Sequence, residues 1–165
     1  MLKIKTDGTI HCSRGDAGNI SLKIPYMDKN GYYRYKDSDT PVNYYWYDKV
    51  NNVLYDDTYT VSQTSLATLT QDMYQFQVGD TIDFVIYEKN GYDRTPMSHK
   101  HIEVESTSDS VTIELTGEDT TFGEIPNKPT TYWYDITLND TNTIVCYNED
   151  GAREFIIYPA IGEEN

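Results

Sequence analysis

Basic residues are scarce in this chain. Its 165 residues include 13 Lys and Arg against 27 Asp and Glu, which gives a formal net charge of −14 at pH 7. This charge would repel a phosphate backbone, and no cluster of Lys and Arg offsets it. The sequence therefore argues against nucleic acids and anionic membrane surfaces as partners.

Long hydrophobic runs and a signal peptide are also missing. Residues 1–5 are followed at once by polar residues, so the sequence lacks the apolar core of a signal peptide. No apolar run approaches the roughly 20 residues of a membrane-spanning helix. We therefore expect a protein that is made in the cytoplasm, is not secreted by a signal peptide and does not insert into a membrane.

Cysteine is rare, and catalytic motifs are lacking. Cys12 and Cys146 are the two cysteines, and we interpret them as reduced and buried, with a bridge between them as the alternative. The sequence contains no CxxC, HExxH or GxSxG pattern and no Gly-rich phosphate loop. We predict no catalytic residue, no cofactor and no metal, and hence a protein that is not an enzyme.

Two groups of polar residues could suggest a metal site. His99 and His101 are two residues apart and would project from the same face of a strand, where His11 could join them. No further ligand lies at a recognisable spacing, so we interpret them as ordinary exposed histidines. Asp37 and Asp39 could bind calcium, but the EF-hand pattern is absent, so we interpret them as solvated loop charges.

Tyrosine, in contrast, is abundant. The chain has 16 tyrosines, and they cluster with tryptophan at residues 44–47 and 132–134. On a strand over 42–48, rings would cover both faces, and one of these faces need not be core. Aromatic residues are enriched at protein interfaces. Our candidate partner contacts are Tyr44, Tyr45, Trp46, Tyr47 and Trp133.

Trp133 has two interpretations. Its predicted neighbours on the same face are Thr131, Asp135 and Thr137, and a Trp among polar residues is a candidate contact residue. Alternatively, Trp133 packs under the loop 120–129. Exposed Trp and Tyr also form stacking platforms for sugars, so a glycan remains an alternative partner.

The dominant hydrophobic period is two, which is typical of half-buried antiparallel strands. The apolar residues alternate with polar ones over 20–24, 82–86, 102–104, 111–115 and 132–138. Asp150-Gly151 predicts a hairpin between 144–147 and 155–158. Residues 65–73 have helix-like spacing, although a strand over 66–70 is at least as well supported. We predict an all-β, antiparallel β-sandwich with at most one short helix.

The organisation that we predict is a single domain. It covers residues 1–160, with a Tyr-rich loop or hairpin insertion near 27–59, and an acidic tail follows at 161–165. Charges and tyrosines surround the turn at Asn30-Gly31 in this insertion, which is typical of a projecting surface segment.

Several stretches, taken in order, resemble small structural proteins of tailed phages of Gram-positive hosts. The opening Arg14-Gly15-Asp16 with the strand 19–24 is followed by Tyr74-Gln75-Phe76-Gln77-Val78-Gly79-Asp80, by 111–120, and by 132–138, 143–145 and 155–159. This order is similar to the N-terminal β-sandwich module of baseplate upper proteins, which docks to the virion. Baseplate upper proteins continue into a coiled coil or receptor-binding region, whereas this sequence stops near Asn165.

The resemblance implies a non-enzymatic virion structural protein, acting as a docking or adaptor subunit at the tail tip or baseplate. Its implied partners are other virion proteins, with copies of the chain forming a homo-oligomer on a symmetric platform. The alternatives are a capsid-surface decoration protein and a carbohydrate-binding module that recognises host cell-wall glycans. An acidic glycosidase is the least favoured.

Overall fold

A computed structural model describes residues 2–5, 8–89, 91, 93–123, 125–140, 142–145 (backbone alone) and 153–160. Cys146, the predicted turn at 150–151 and the tail 161–165 lie outside these residues. The strands are β1 (Lys3–Ile4), β2 (Ile10–Ser13), β3 (Gly18–Leu22), β4 (Tyr33–Lys36), β5 (Tyr44–Asp48), β6 (Val53–Asp56), β7 (Thr70–Gln71), β8 (Thr81–Tyr87), β9 (Pro96–Glu103), β10 (Val111–Leu115), β11 (Thr130–Leu138), β12 (Asn142–Val145) and β13 (Glu154–Tyr158).

The all-β prediction is confirmed. Within the described ranges no helix reaches seven residues, and the sheets are mainly antiparallel. The stretch 65–73 forms a short 3-10 helix at Leu66–Thr68 followed by β7, so it is neither an α-helix nor a strand over 66–70. In the part of the chain that is described, no helix has the length and apolar character needed to cross a membrane.

The chain divides into two compact units. Unit 1 combines Met1–Leu22 with Phe76–Asn165, and unit 2 is the segment Lys23–Gln75 between them. The Tyr-rich insertion predicted near 27–59 lies inside unit 2, which extends beyond it in both directions. The inserted segment therefore forms a four-stranded sheet rather than a single loop or hairpin.

Unit 1 contains two sheets. Seven strands form the larger sheet, in the order β1-β2-β13-β11-β8-β9 with β12 also paired to β11, and β10 pairs with β3 in the smaller one. All of these pairs are antiparallel except β13 with β2. The predicted alternation is confirmed, since each sheet buries one face, as in a β-sandwich. The buried residues include Ile20, Leu22, Ile82, Phe84, Ile86, Ile113, Leu115, Tyr134, Ile136 and Leu138.

For the described residues 144–145 and 155–158, the predicted hairpin is wrong in its pairing. Strand β12 pairs with the end of β11 at Ile136–Leu138, and β13 pairs with the beginning of β11 at Thr130–Trp133. The strand β11 has nine residues, so β12 and β13 can pair with it one after the other along its length. Long-range pairing with β11 therefore replaces the local pairing that the turn residues suggested.

Unit 2 is a four-stranded antiparallel sheet in the order β6-β5-β4-β7. All residues of Lys23–Gln75 are described, and Leu54 is their one buried hydrophobic side chain. Asp48 and Asp72 are buried polar residues in the same unit. Half-buried aromatic rings therefore take the place of an aliphatic core in unit 2.

The chain enters and leaves unit 2 through neighbouring antiparallel segments. The backbone N–H of Tyr74 donates to the carbonyl of Ile24 at 2.6 Å, and that of Tyr26 donates to the carbonyl of Asp72 at 3.0 Å. An antiparallel bridge between Pro25 and Met73 lies between these bonds. The two ends of the segment are thus tied together.

Candidate functional site

The cross-strand register of unit 2 sorts its aromatic residues onto two faces. Because side chains alternate along a strand and residues directly opposite share a face, the pairs Arg34–Trp46 and Trp46–Tyr55 define one face. The other face follows from the pairs Tyr33–Tyr47, Tyr35–Tyr45 and Tyr47–Leu54. The prediction that rings cover both faces of 44–47 is confirmed.

Arg34 lies at the centre of the first face. Its guanidinium carbon is 4.3 Å from the ring centroid of Tyr26 and 4.6 Å from that of Tyr44. Its Nε donates to Oδ2 of the buried Asp72 at 2.7 Å. Cation–π contact and the ion pair together fix both rings in position. Tyr44, a predicted contact residue, is therefore a positioned and exposed ring.

Trp46 is held by a second aromatic contact on this face. Its ring is stacked on Tyr59, with centroids 6.0 Å apart and an interplanar angle of 4°. The Tyr59 hydroxyl donates to Asp28 Oδ2 at 2.7 Å, and this hydrogen bond raises the pKa of Tyr59. Tyr59 therefore stays a neutral donor at physiological pH, and the stacked pair is anchored to the turn that contains Asp28.

Exposed apolar side chains are concentrated in unit 2. Six of the nine large hydrophobic side chains that the structure shows as exposed belong to it, namely Met27, Val42, Tyr44, Val50, Tyr59 and Val61. Unit 2 also holds ten of the 16 tyrosines. Its seven Asp face five Lys and Arg, a net charge of −2, so unit 1 carries the remaining −12. We call the first face of unit 2, with Tyr26, Tyr44, Trp46 and Tyr59, the aromatic surface. It belongs to a unit of low net charge.

A cavity of about 260 Å³ opens beside β5 and β6. Its lining residues are Val42, Asn43, Tyr44, Tyr45, Asp56, Asp57 and Thr58. Asp56 Oδ1 accepts hydrogen bonds from the hydroxyl and the backbone N–H of Thr58, at 2.6 and 2.8 Å. These bonds, with one from Thr60, lower the pKa of Asp56. The cavity therefore places an ionised carboxylate beside two consecutive tyrosines of β5, which project from opposite faces of the strand.

Trp133 belongs to unit 1, whereas the four contacts predicted at 44–47 belong to unit 2. It is half-buried on β11, opposite Tyr87 on β8 and Glu154 on β13. From the loop that was expected to cover it, Phe122 packs edge-on against Tyr132, with centroids 5.0 Å apart. Tyr132 and Trp133 project from opposite faces of β11. The predicted contacts therefore fall into a group of four on β5 and a separate Trp133.

His99 and His101 meet Asp83, which sequence reasoning did not include. On β8 and β9, Asp83 stands directly opposite His101. Asp83 Oδ1 lies 2.7 Å from His99 Nε2 and 2.8 Å from His101 Nδ1. The candidate ligand atoms of the three residues lie within 4.8 Å of one another. His11 is elsewhere, with its Nδ1 2.8 Å from the Tyr158 hydroxyl.

The charges in this cluster reinforce one another. Burial opposes ionisation of Asp83, but hydrogen bonds from His101 and His99 outweigh it and lower the pKa of its carboxyl. The hydrogen bond and charge of Asp83 in turn raise the pKa of His101, and Asp140 and Glu103 act in the same direction. The cluster is thus a site of negative potential on the outer face of the large sheet.

The remaining residues singled out in the sequence have structural roles. Asp37 accepts hydrogen bonds from Asp39 N–H and from Asn43, which closes the loop between β4 and β5. Arg14-Gly15-Asp16 forms a turn, in which Asp16 N–H donates to the carbonyl of Ser13. Cys12 is a buried free thiol.

These contacts leave two candidate sites, namely the aromatic surface of unit 2 and the Asp83–His99–His101 cluster of unit 1. No protein-family model, curated protein or solved structure matches the chain.

Proposed function

We propose that this chain is a non-enzymatic structural subunit of a tailed-phage particle, which docks on another virion protein through unit 2. The observation that carries the docking role is the concentration of positioned, half-exposed aromatic rings on a unit of low net charge. The resemblance over residues 10–159 supports a place at the tail tip or baseplate.

A protein partner fits the properties of this surface. A standard interface buries about 1,600 Å² in total, or about 800 Å² on each partner. Arg34 and Asp28 hold the rings of Tyr44 and Tyr59 in place before any partner arrives. Rings that are already ordered lose little side-chain entropy on binding, which leaves more of the burial free energy for affinity. The acidic remainder of the chain would favour basic partners.

Location in the particle can be tested by antibody-gold electron microscopy on purified particles. We expect the label to be confined to the tail tip. Label over the head, with far more copies per particle, would instead assign the chain to capsid decoration. Particles without any label would contradict the virion assignment.

Docking itself can be tested by changing exposed residues of unit 2. Tyr44→Ala combined with Val61→Ser should weaken assembly by more than about 1 kcal/mol, because both side chains are exposed and belong to the proposed interface. Assembly is measured by pull-down of the chain with disrupted particles. Val78→Ser is the matched control, since Val78 is an exposed valine of unit 1.

The control should assemble like the parent protein, and all variants should keep the circular dichroism of the parent. An equal loss of assembly with Val78→Ser would contradict docking through unit 2. The same comparison with Trp133→Ala decides whether Trp133 contributes a second contact or packs within unit 1.

A glycan is the second candidate partner, and the cavity beside β5 and β6 favours it. Sugars stack on aromatic rings while their hydroxyls donate to carboxylates, and the lining includes a tyrosine of β5 on either face together with Asp56 and Asp57. Saturable quenching of Trp46 fluorescence by cell-wall oligosaccharides in a Trp133→Phe protein would support it. A flat titration would leave protein docking as the function of this surface.

A further inference from the structure

Two imidazoles and one carboxylate converge where β8 pairs with β9, outside the aromatic surface. His99 and His101 project from β9 towards Asp83 on the neighbouring strand β8. We infer that Asp83, His99 and His101 form a binding site for one divalent transition-metal ion of the Zn²⁺ class.

The distances suit a site that closes around an ion. Ligand atoms in a tetrahedral zinc site lie about 2.0–2.1 Å from the ion and hence roughly 3.3 Å from one another. Asp83 Oδ1 is 2.7 and 2.8 Å from the two imidazole nitrogens, so each pair must open by about half an ångström. The side chains of His99 and His101 are 54% and 55% exposed, which leaves the rings free to turn.

The carboxylate of Asp83 supplies an independent observation. Its Oδ2 is buried, and no N–H or O–H donor among the described residues pairs with it. A buried carboxylate oxygen without a donor is costly, and a bound cation would relieve that cost. The charges of Asp140 and Glu103 also act on His101, and both favour a positive charge at this site.

The ligand set selects the class of ion. Imidazole nitrogens favour zinc, copper, nickel, cobalt and iron, whereas calcium and magnesium prefer sites made of oxygen. Three protein ligands leave at least one coordination position open to water or to a group from a partner. An ion held here would join β8 to β9, which is the terminal strand of the large sheet.

The experiment uses the full chain without a histidine tag, after treatment with a chelator. Zn²⁺ binding is measured by calorimetry, and Co²⁺ binding by its visible absorption, which reports nitrogen ligands directly. His99→Asn and His101→Asn are the test variants, because both side chains are exposed and the protein should still fold. His11→Asn is the matched control, since it removes the one histidine outside the cluster.

We expect one ion per chain, a loss of affinity of at least about tenfold in each test variant, and no change in the control. Zn²⁺ should also raise the melting temperature of the parent protein but not that of the double variant, which combines His99→Asn with His101→Asn, because an ion that binds the folded state alone stabilises it. Equal binding by the parent and the double variant would overturn the site. Absence of binding in the parent would reduce the cluster to a hydrogen-bonded link between two strands.

Discussion

At the scale of single residues, Arg34 organises the aromatic surface more than any of the rings does. It contacts the rings of Tyr26 and Tyr44 and pairs with Asp72. Its planar guanidinium can stack on aromatic faces and donate to a carboxylate at the same time, which an ammonium group cannot do as well. In the sequence this arginine is only one charge among tyrosines. Its partner, Asp72, lies 38 residues away, directly after β7.

Arg34→Met should therefore lower the free energy of unfolding by about 2 kcal/mol. The change leaves the buried carboxylate of Asp72 without its main ion pair, and the partial exposure of the pair keeps the loss below that of a fully buried one. Urea denaturation followed by Trp46 fluorescence in a Trp133→Phe parent measures the effect.

Lys36→Met is the control for this prediction. Its ammonium also approaches Asp72, at 3.5 Å, but its side chain is 42% exposed. An exposed pair of this kind contributes at most about 1 kcal/mol. If both variants lost the same stability, the guanidinium would have no special role.

At the scale of elements, the hydrophobic periodicity predicted the positions of strands well, but the turn residues predicted the partners of those strands poorly. The alternation of Ile82, Phe84 and Ile86, and of Tyr134, Ile136 and Leu138, matches the buried faces of β8 and β11. The turn signal at 150–151 misassigned the partner of β13, because it is local, whereas the nine-residue strand β11 pairs with both β12 and β13. Strand identity depends on the residues of one segment, but pairing depends on competition among all segments.

The Asp83–His99–His101 cluster shows the same limit at a candidate site. The spacing of His99 and His101 correctly placed them near each other on one strand, but the third member comes from β8. Its position depends on the register of β8 against β9, which places Asp83 opposite His101. A one-residue slip would turn Asp83 to the other face of the sheet. The available signal in the sequence was Asp83 itself, a carboxylate in the middle of the alternating segment 82–86.

Leu54 provides the test of how unit 2 is stabilised. As the one buried hydrophobic side chain of Lys23–Gln75, it should cost about 2–3 kcal/mol when changed to Ala. Denaturation followed by Trp46 fluorescence measures this loss. Val61→Ala, at an exposed position, should stay within about 0.5 kcal/mol of the parent. A small effect of Leu54→Ala would mean that the aromatic contacts alone stabilise the sheet.

At the scale of the whole molecule, charge and aromatic residues are divided between the two units. Unit 1 has the aliphatic core and nearly all of the net charge, and unit 2 has most of the tyrosines. Composition averaged over the whole chain concealed this division, since a single mean combines an acidic sandwich with a nearly neutral sheet. The predicted insertion located the feature, but its limits depend on the pairing of 24–26 with 72–74.

Removing most of unit 2 should leave unit 1 folded. An Asn-Gly turn that joins Ile24 directly to Tyr74 would replace the segment, because the backbone of these two residues is already hydrogen-bonded at 2.6 Å. The shortened chain retains Trp133 as its single tryptophan. We expect cooperative thermal unfolding by Trp133 fluorescence. Unfolded or aggregated protein would show that unit 1 requires the inserted sheet.

The tied ends of unit 2 have an evolutionary consequence. A segment that leaves and rejoins its host at one hydrogen-bonded pair can be exchanged as a cassette, since its two ends already lie next to each other. Recombination at the codons around Ile24 and Tyr74 would replace the whole aromatic sheet, and with it the surface proposed for docking, in one event. The aromatic sheet and the acidic sandwich could then diverge at different rates.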